Sequence, residues 1–240
     1  MKPIAVFQHT EVGAPGTVVP ILESLGRPVR VIRIVDGEPV PKNAAEFGGL
    51  VFMGGYMSVH DDLPWIPLEL ELIREADAQG LPVAGHCLGS QLLALALGGS
   101  VAPHSAPEIG WQPLQTRDDA LSREWWGEFA GRDDVQTFQW HGDTFQPPPG
   151  SLQIASSRYC PNQAFVLRNR HLLLQSHLEM TPELVELSLE RNGEQQRRQF
   201  ALGNPAVSDP ADALNDLQAR TGQMSTILSR LYARWVRRCT

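Results

Sequence analysis

The sequence predicts a doubly wound α/β fold: a mostly parallel sheet with helices on both faces. Three observations lead there. Apolar and β-branched runs of strand length alternate with helix-length segments through the N-terminal half, which implies right-handed crossovers. Two of those runs end in small residues, Gly54-Gly55 and Gly85-His86-Cys87-Leu88-Gly89, and the carboxyl ends of parallel strands are where such sheets gather their chemistry. The chain, 240 residues with 42% hydrophobic and 20% charged side chains, is long enough for one substantial core and an appendage.

Taken in order, residues 3–8 read as the first strand and 9–16 as a turn-rich loop. Residues 17–25 read as a helix stopped by Gly26. The β-branched run 29–35 is the second strand and 49–53 the third. Residues 67–79 form a helix with Pro67 in its first turn and Gly80 after its end. A short buried strand, 82–86, then turns into a helix closed by Gly98-Gly99. From Ile109 the pattern shortens to 110–116, 135–140, 152–155, 164–167 and 172–175, with a helix-like piece at 121–129. That predicts hairpin additions and a return to the main sheet, with Pro147-Pro148-Pro149-Gly150 a stiff loop. Thr181 caps a helix over 181–198 that carries Pro182 at its start.

After Gly203-Asn204-Pro205 an appended helix runs from Pro210 to about Arg238. Leu214, Leu217, Thr221, Met224, Leu228, Leu231 and Trp235 alternate spacings of three and four, an apolar seam. The seam suits packing on the parent domain better than a homodimer contact. Arg230, Arg234, Arg237 and Arg238 suit a helix C-terminus. The expected organisation is a main domain, 1–204, and a C-terminal helical extension, 205–240.

A strand that enters a helix through one reactive residue, with a glycine two positions away on each side, is a nucleophile elbow. Here that residue is Cys87. The glycines permit the sharp turn, the helix N-terminus favours a thiolate, and the Leu88 amide is placed to stabilise an oxyanion. These residues resemble the class I glutamine amidotransferase family, whose elbow reads Gly-x-Cys-x-Gly-x-Gln, met by Gly85, Cys87, Gly89 and Gln91. The family's late His-x-Glu is met by His177-Leu178-Glu179, its glycine pair by Gly54-Gly55, and its His-Gly-Asp loop by His141-Gly142-Asp143.

The resemblance covers roughly residues 3–185 and implies the family's flavodoxin-like fold. It implies a triad of Cys87, His177 and Glu179, with Gly55 and Leu88 supplying an oxyanion hole. It also implies substrate contacts from Gly54, Tyr56, Gln91, Trp140, His141, Gly142 and Asp143. The activity it implies is that of a free-standing glutaminase domain similar to that of GMP synthetase: hydrolysis of the γ-amide of glutamine through a γ-glutamyl thioester, with ammonia passed to an unidentified acceptor on a separate synthase. Two alternatives stay open: a γ-glutamyl peptide hydrolase needing no partner, and a non-catalytic binding protein. The chain departs from the family where proline commonly follows the glycine pair (Tyr56), where proline separates the late His and Glu (Leu178), and where serine precedes His-Gly-Asp (Trp140). Each departure alters the substrate pocket and removes no reacting atom.

Composition narrows the rest. A net charge of -7 argues against a nucleic-acid partner. Cys87, Cys160 and Cys239 make an odd set without metal spacing, so a disulfide framework is not expected. His9, His60, His86, His104 and His171 form no ligand-spaced set, and there is no Gly-x-x-x-x-Gly-Lys phosphate loop. Neither a metal nor a cofactor is expected. The N-terminus lacks the pattern of a signal peptide, and no apolar stretch approaches the ~20 residues of a spanning helix. A reducing cytoplasm and no membrane partner are the expectation.

Overall fold

The computed structural model describes all 240 residues. One nine-stranded mixed sheet runs through it in the order β2-β1-β3-β4-β9-β8-β7-β5-β6. The parallel part is β1 (Ile4–Gln8), β2 (Val29–Arg33), β3 (Gly49–Phe52), β4 (Val83–His86) and β9 (His171–Leu174). The antiparallel part is β5 (Ser100–Thr116), β6 (Val135–Gln146), β7 (Ser151–Ser157) and β8 (Ala164–Leu167). β9 is the hinge of this plan, pairing parallel with β4 and antiparallel with β8. The helices are α1 (Val18–Ser24), α2 (Trp65–Ala78), α3 (Leu88–Ala96), α4 (Ala120–Trp126), α5 (Pro182–Ala201) and α6 (Leu217–Trp235).

The central strands are buried on both faces, as parallel strands covered by helices must be. β1 shows it residue by residue: Ile4 and Val6 join one apolar cluster, Ala5 and Phe7 the other. The first cluster takes Val18, Ile21 and Leu22 of α1, Trp125 and Trp126 of α4, and Leu184 and Val185 of α5. The second takes Ile66, Leu72 and Ile73 of α2 and Leu88, Leu92 and Leu93 of α3. Strand order reverses around β1, which places a crevice at the carboxyl ends of β1, β3, β4 and β9.

Four sequence expectations need correction. The second strand stops at Arg33, and Ile34–Asp36 forms a 3-10 turn closed by Gly37 at φ 80°. The β-branched run therefore overstates the strand by its last residues. His141-Gly142-Asp143 is not a loop: it lies inside β6, where His141 pairs with Glu108 and Asp143 with Pro103 of β5. The resemblance implies a loop, but the cross-strand ladder of a long hairpin makes these residues strand. The C-terminal helix begins at Leu217 rather than Pro210, because Asp216 takes a left-handed conformation (φ 53°) and Pro210–Asp212 is a separate 3-10 turn. Leu214 consequently leaves the seam and is 56% exposed. From Met224 onward the seam docks within this chain, with Met224, Ile227, Leu228, Leu231, Tyr232 and Trp235 in the first cluster.

Candidate active site

The elbow forms because its backbone cannot tolerate side chains on either flank. A Cβ on Gly85 would stand 2.5 Å from the Gly89 carbonyl, and one on Gly89 would stand 2.0 Å from the Phe52 carbonyl oxygen of β3. The turn leaves Cys87 at φ 48° and ψ -108°, a strained conformation for a residue with a side chain. Hydrogen bonds to β9 hold it. Cys87 N–H donates to the Leu174 carbonyl at 2.7 Å. Ser90 Oγ lies 2.7 Å from both the Gly85 and Leu174 carbonyls and accepts the Leu174 N–H. Leu88, as the first residue of α3, has an N–H with no partner inside the helix.

His177 and Glu179 follow β9 in a loop pinned at both backbones. His177 exchanges two hydrogen bonds with Phe138 of β6, and the Glu179 carbonyl accepts the Thr17 N–H before α1. His177 Nδ1 donates to Glu179 Oε1 at 2.6 Å, and the ring shares a cavity with the Cys87 side chain. Burial alone would depress the His177 pKa, but the Glu179 carboxylate and the Cys87 sulfur outweigh it, and the imidazolium is favoured. Glu179, fully enclosed, would be raised by burial; His177 and His86 pull it well below the usual carboxylate range. Gly54 serves as a spacer, since a Cβ there would stand 2.8 Å from His177 Cε1 and 3.6 Å from Cys87 Cβ.

Cys87 and His177 open into a cavity of about 350 Å³. Gly55, Tyr56, Gln91, Trp140, His141, Gly142 and Asp143 also line it. Gly54 and Leu88 do not reach the lining, Gly54 lying behind it and Leu88 turning its side chain into the core. Tyr56 is a rim residue, 67% exposed. Gln91 Nε2 donates to the Asp143 carbonyl at 3.1 Å and contacts Gln175 Oε1 at 3.3 Å. Asp143 Oδ2 accepts from Ser58 Oγ at 2.9 Å, and the 57–62 loop reaches the cavity through Met57 and Ser58. Trp140 Nε1 donates to Gln195 Oε1 at 2.9 Å, tying β6 to α5.

Several neighbours escaped the sequence reading. Gln175 Nε2 sits 3.6 Å from Cys87 Sγ. His9, at the end of β1, lies 3.1 Å from the Met53 carbonyl and 3.0 Å from Glu69 Oε2, bracing the segment that leads into Gly54-Gly55. His86 bonds Glu179. Ligand spacing does not reveal either histidine; a position at the end of a parallel strand does. Leu178 turns from a departure into a contribution, since its N–H donates to Glu179 Oε2 at 3.0 Å and a proline has no N–H to give. Glu108, His141 and Cys160 bring three possible ligand atoms within 4.8 Å of one another. Glu108 is already occupied by His141, Ser157 and Gln163, and burial raises the Cys160 thiol above its ordinary range. The cluster is therefore a hydrogen-bonded brace under β6.

The comparisons with known proteins fall on this same region. The glutamine amidotransferase class-I family model matches residues 17–194, which include the elbow and the His177–Glu179 loop. A glutamine amidotransferase-like protein of Salmonella typhimurium, YfeJ, is 31% identical over 183 residues, covering 74% of this chain and 76% of that protein. Gamma-glutamyl peptidase 4 of Arabidopsis thaliana is 27% identical over 157 residues, 64% of this chain and 62% of the peptidase. The crystal structure of a glutamine amido transferase from Methylobacillus flagellatus superposes with a TM-score of 0.94 at 36% identity, covering 100% of this chain and 96% of the other. With the elbow, the crevice and the family match all on one stretch of chain, this protein belongs to the class I glutamine amidotransferase family.

Proposed function

We propose that the chain hydrolyses the γ-amide of glutamine through Cys87, His177 and Glu179. The observation that carries this reading is the strained elbow cysteine sharing a cavity with a histidine whose other face is held by a buried carboxylate. The Cys87 thiolate attacks the amide carbon, and the carbonyl π electrons move to oxygen. The N–H groups of Gly55 and Leu88 receive that oxyanion. His177, as imidazolium, delivers its proton to the departing nitrogen; the C–N bond breaks and ammonia leaves a γ-glutamyl thioester. His177 then takes a proton from water, the hydroxide adds to the thioester, and glutamate departs with the thiolate restored. Glu179 keeps the ring oriented and its charge balanced. Ammonia would pass to a separate synthase.

A second reading is favoured by the shape of the cavity. Its lining also includes Met180 and, from α5, Ser188, Asn192 and Gln195, none of which the glutamine reading uses. An amine larger than ammonia would fit there, making the substrate a γ-glutamyl compound; the Arabidopsis relative carries the name of such a peptidase.

Incubation with the chloroketone analogue of glutamine, followed by mass spectrometry, tests the nucleophile. Label on Cys87, and loss of turnover in Cys87→Ala with folding intact, are expected. Label on Cys160 or Cys239, or full turnover by Cys87→Ala, would sink the mechanism. The ratio of kcat/KM for glutamine to that for a γ-glutamyl dipeptide separates the two readings.

A further inference from the structure

Glu179 uses its two oxygens differently. Oε1 faces His177, whereas Oε2 lies 2.9 Å from His86 Nδ1 and accepts the Leu178 N–H. Across the His86 ring, Nε2 lies 2.9 Å from the hydroxyl of Tyr232 on α6. His86 and Tyr232 are 0% exposed and Glu179 1%. A carboxylate only accepts, so His86 Nδ1 carries a proton toward Glu179, and Nε2 on the other side of the ring is hydrogen-bonded to the tyrosine hydroxyl. Burial, then the Glu179 charge, raise the Tyr232 phenol well above its ordinary pKa and keep its hydroxyl protonated. Around this line the ionisable groups are Glu179 and His177 from the loop after β9, Cys87 beside His86, and Cys239 near Tyr232. The reaction above calls on neither His86 nor Tyr232. Yet a histidine and a tyrosine joined end to end in a core are costly unless fully satisfied, and the line they form ends on the candidate triad acid.

We propose that Tyr232 and His86 are positioning residues: the C-terminal helix, through the Tyr232 hydroxyl and the His86 ring, fixes the orientation of Glu179 so that Oε1 stays on His177. The inference rests on the triad reading given above.

The test uses the full chain and the saturation kinetics of Cys87 labelling by the glutamine chloroketone, with circular dichroism to score folding. His86→Leu is expected to slow labelling at saturation about tenfold while the half-saturating concentration stays within about twofold, since it disturbs the triad and not the pocket. His86→Asn, whose side-chain N–H can stand where Nδ1–H stood, is expected to recover most of the rate. Tyr232→Phe is expected to lose less, and the double variant His86→Leu/Tyr232→Phe to be no slower than His86→Leu alone, because Tyr232 acts through the ring. A role in packing alone predicts no rescue by asparagine and additive losses. Folded His86→Leu that labels like the parent protein, or additive losses in the double variant, overturns the proposal. Should His86→Leu fail to fold, Tyr232→Phe decides: labelling at the parent rate overturns the proposal, and slowing at unchanged half-saturation supports it. Failure of the triad reading looks different. The parent chain would then label at Cys160 or Cys239, or His177→Ala would label normally, and this proposal would fall with it.

Discussion

At the scale of single residues, the site separates one cysteine from the other two. Burial pushes the Cys239 thiol up to about 12 and raises Cys160 as well, so neither offers a thiolate near neutral pH. Only Cys87 combines an elbow, a cavity and a histidine. Gln91 works through position. Its amide ties α3 to the Asp143 carbonyl on the opposite cavity wall, so Gln91→Ala is expected to raise KM several-fold, the worth of one hydrogen bond at about 1 kcal/mol. Turnover should change less, because Gln91 exchanges no proton. Steady-state kinetics check this; a fall in kcat with KM unchanged would assign Gln91 to the chemical step instead.

At the scale of elements, the elbow strand is fastened at its far end as well as at Cys87. His171, opening β9, accepts the Val83 N–H on Nδ1 at 3.1 Å and donates from Nε2 to Asp77 of α2 at 3.0 Å. Burial holds His171 down to about 4 against the pull of Asp77. Asp77 falls to about 2, its own desolvation outweighed by Arg168 and His171. Both shifts act in one direction. Unfolded His171 takes up a proton below its model value of 6.5 that the folded ring refuses until about 4. The resulting penalty on the folded state, of order 3 kcal/mol, is absent above 6.5 and builds up as pH falls toward about 4. The Asp77 contribution is complete above its model value of 3.8 and is lost toward 2. The melting temperature is expected to drop steadily on acidification from about pH 6.5, and His171→Asn to flatten the upper part of that slope. Parallel slopes in the two proteins would contradict the assignment.

At the scale of the whole molecule, α6 is part of the core. Six of its apolar and aromatic side chains are buried, at roughly 1.5–3 kcal/mol each for a large apolar side chain, a sum comparable to the entire stability of an ordinary domain. A chain ending at Asn204 would expose α1, α4 and the sheet face beneath, and is expected to be insoluble or to melt well below the full chain. A soluble truncated protein with unchanged melting temperature would show that the helix is dispensable. The extension also binds the Glu124 side chain through Arg234, which is stacked over Trp125, so the arginine cluster serves contacts within the chain as well as the helix terminus.

The sequence by itself determined the alternation of strands and helices, the elbow at Cys87, and the order of the glycine pair, the elbow and the late His-x-Glu. These are local patterns: glycines where backbones nearly touch, apolar runs at strand length, a capping Thr181 whose side chain accepts from Leu184 N–H. The tertiary structure alone decided what meets across distance. His141–Asp143 reads as a loop until β5 pairs with it, and the start of the C-terminal helix depends on one left-handed aspartate. His86 looks like a residue passed over on the way to the cysteine, because the groups that give it work, Glu179 and Tyr232, are 93 and 146 positions away. A hydrogen bond is specified by where two atoms arrive in space, and no spacing along the chain encodes that until the sheet brings its strand ends together.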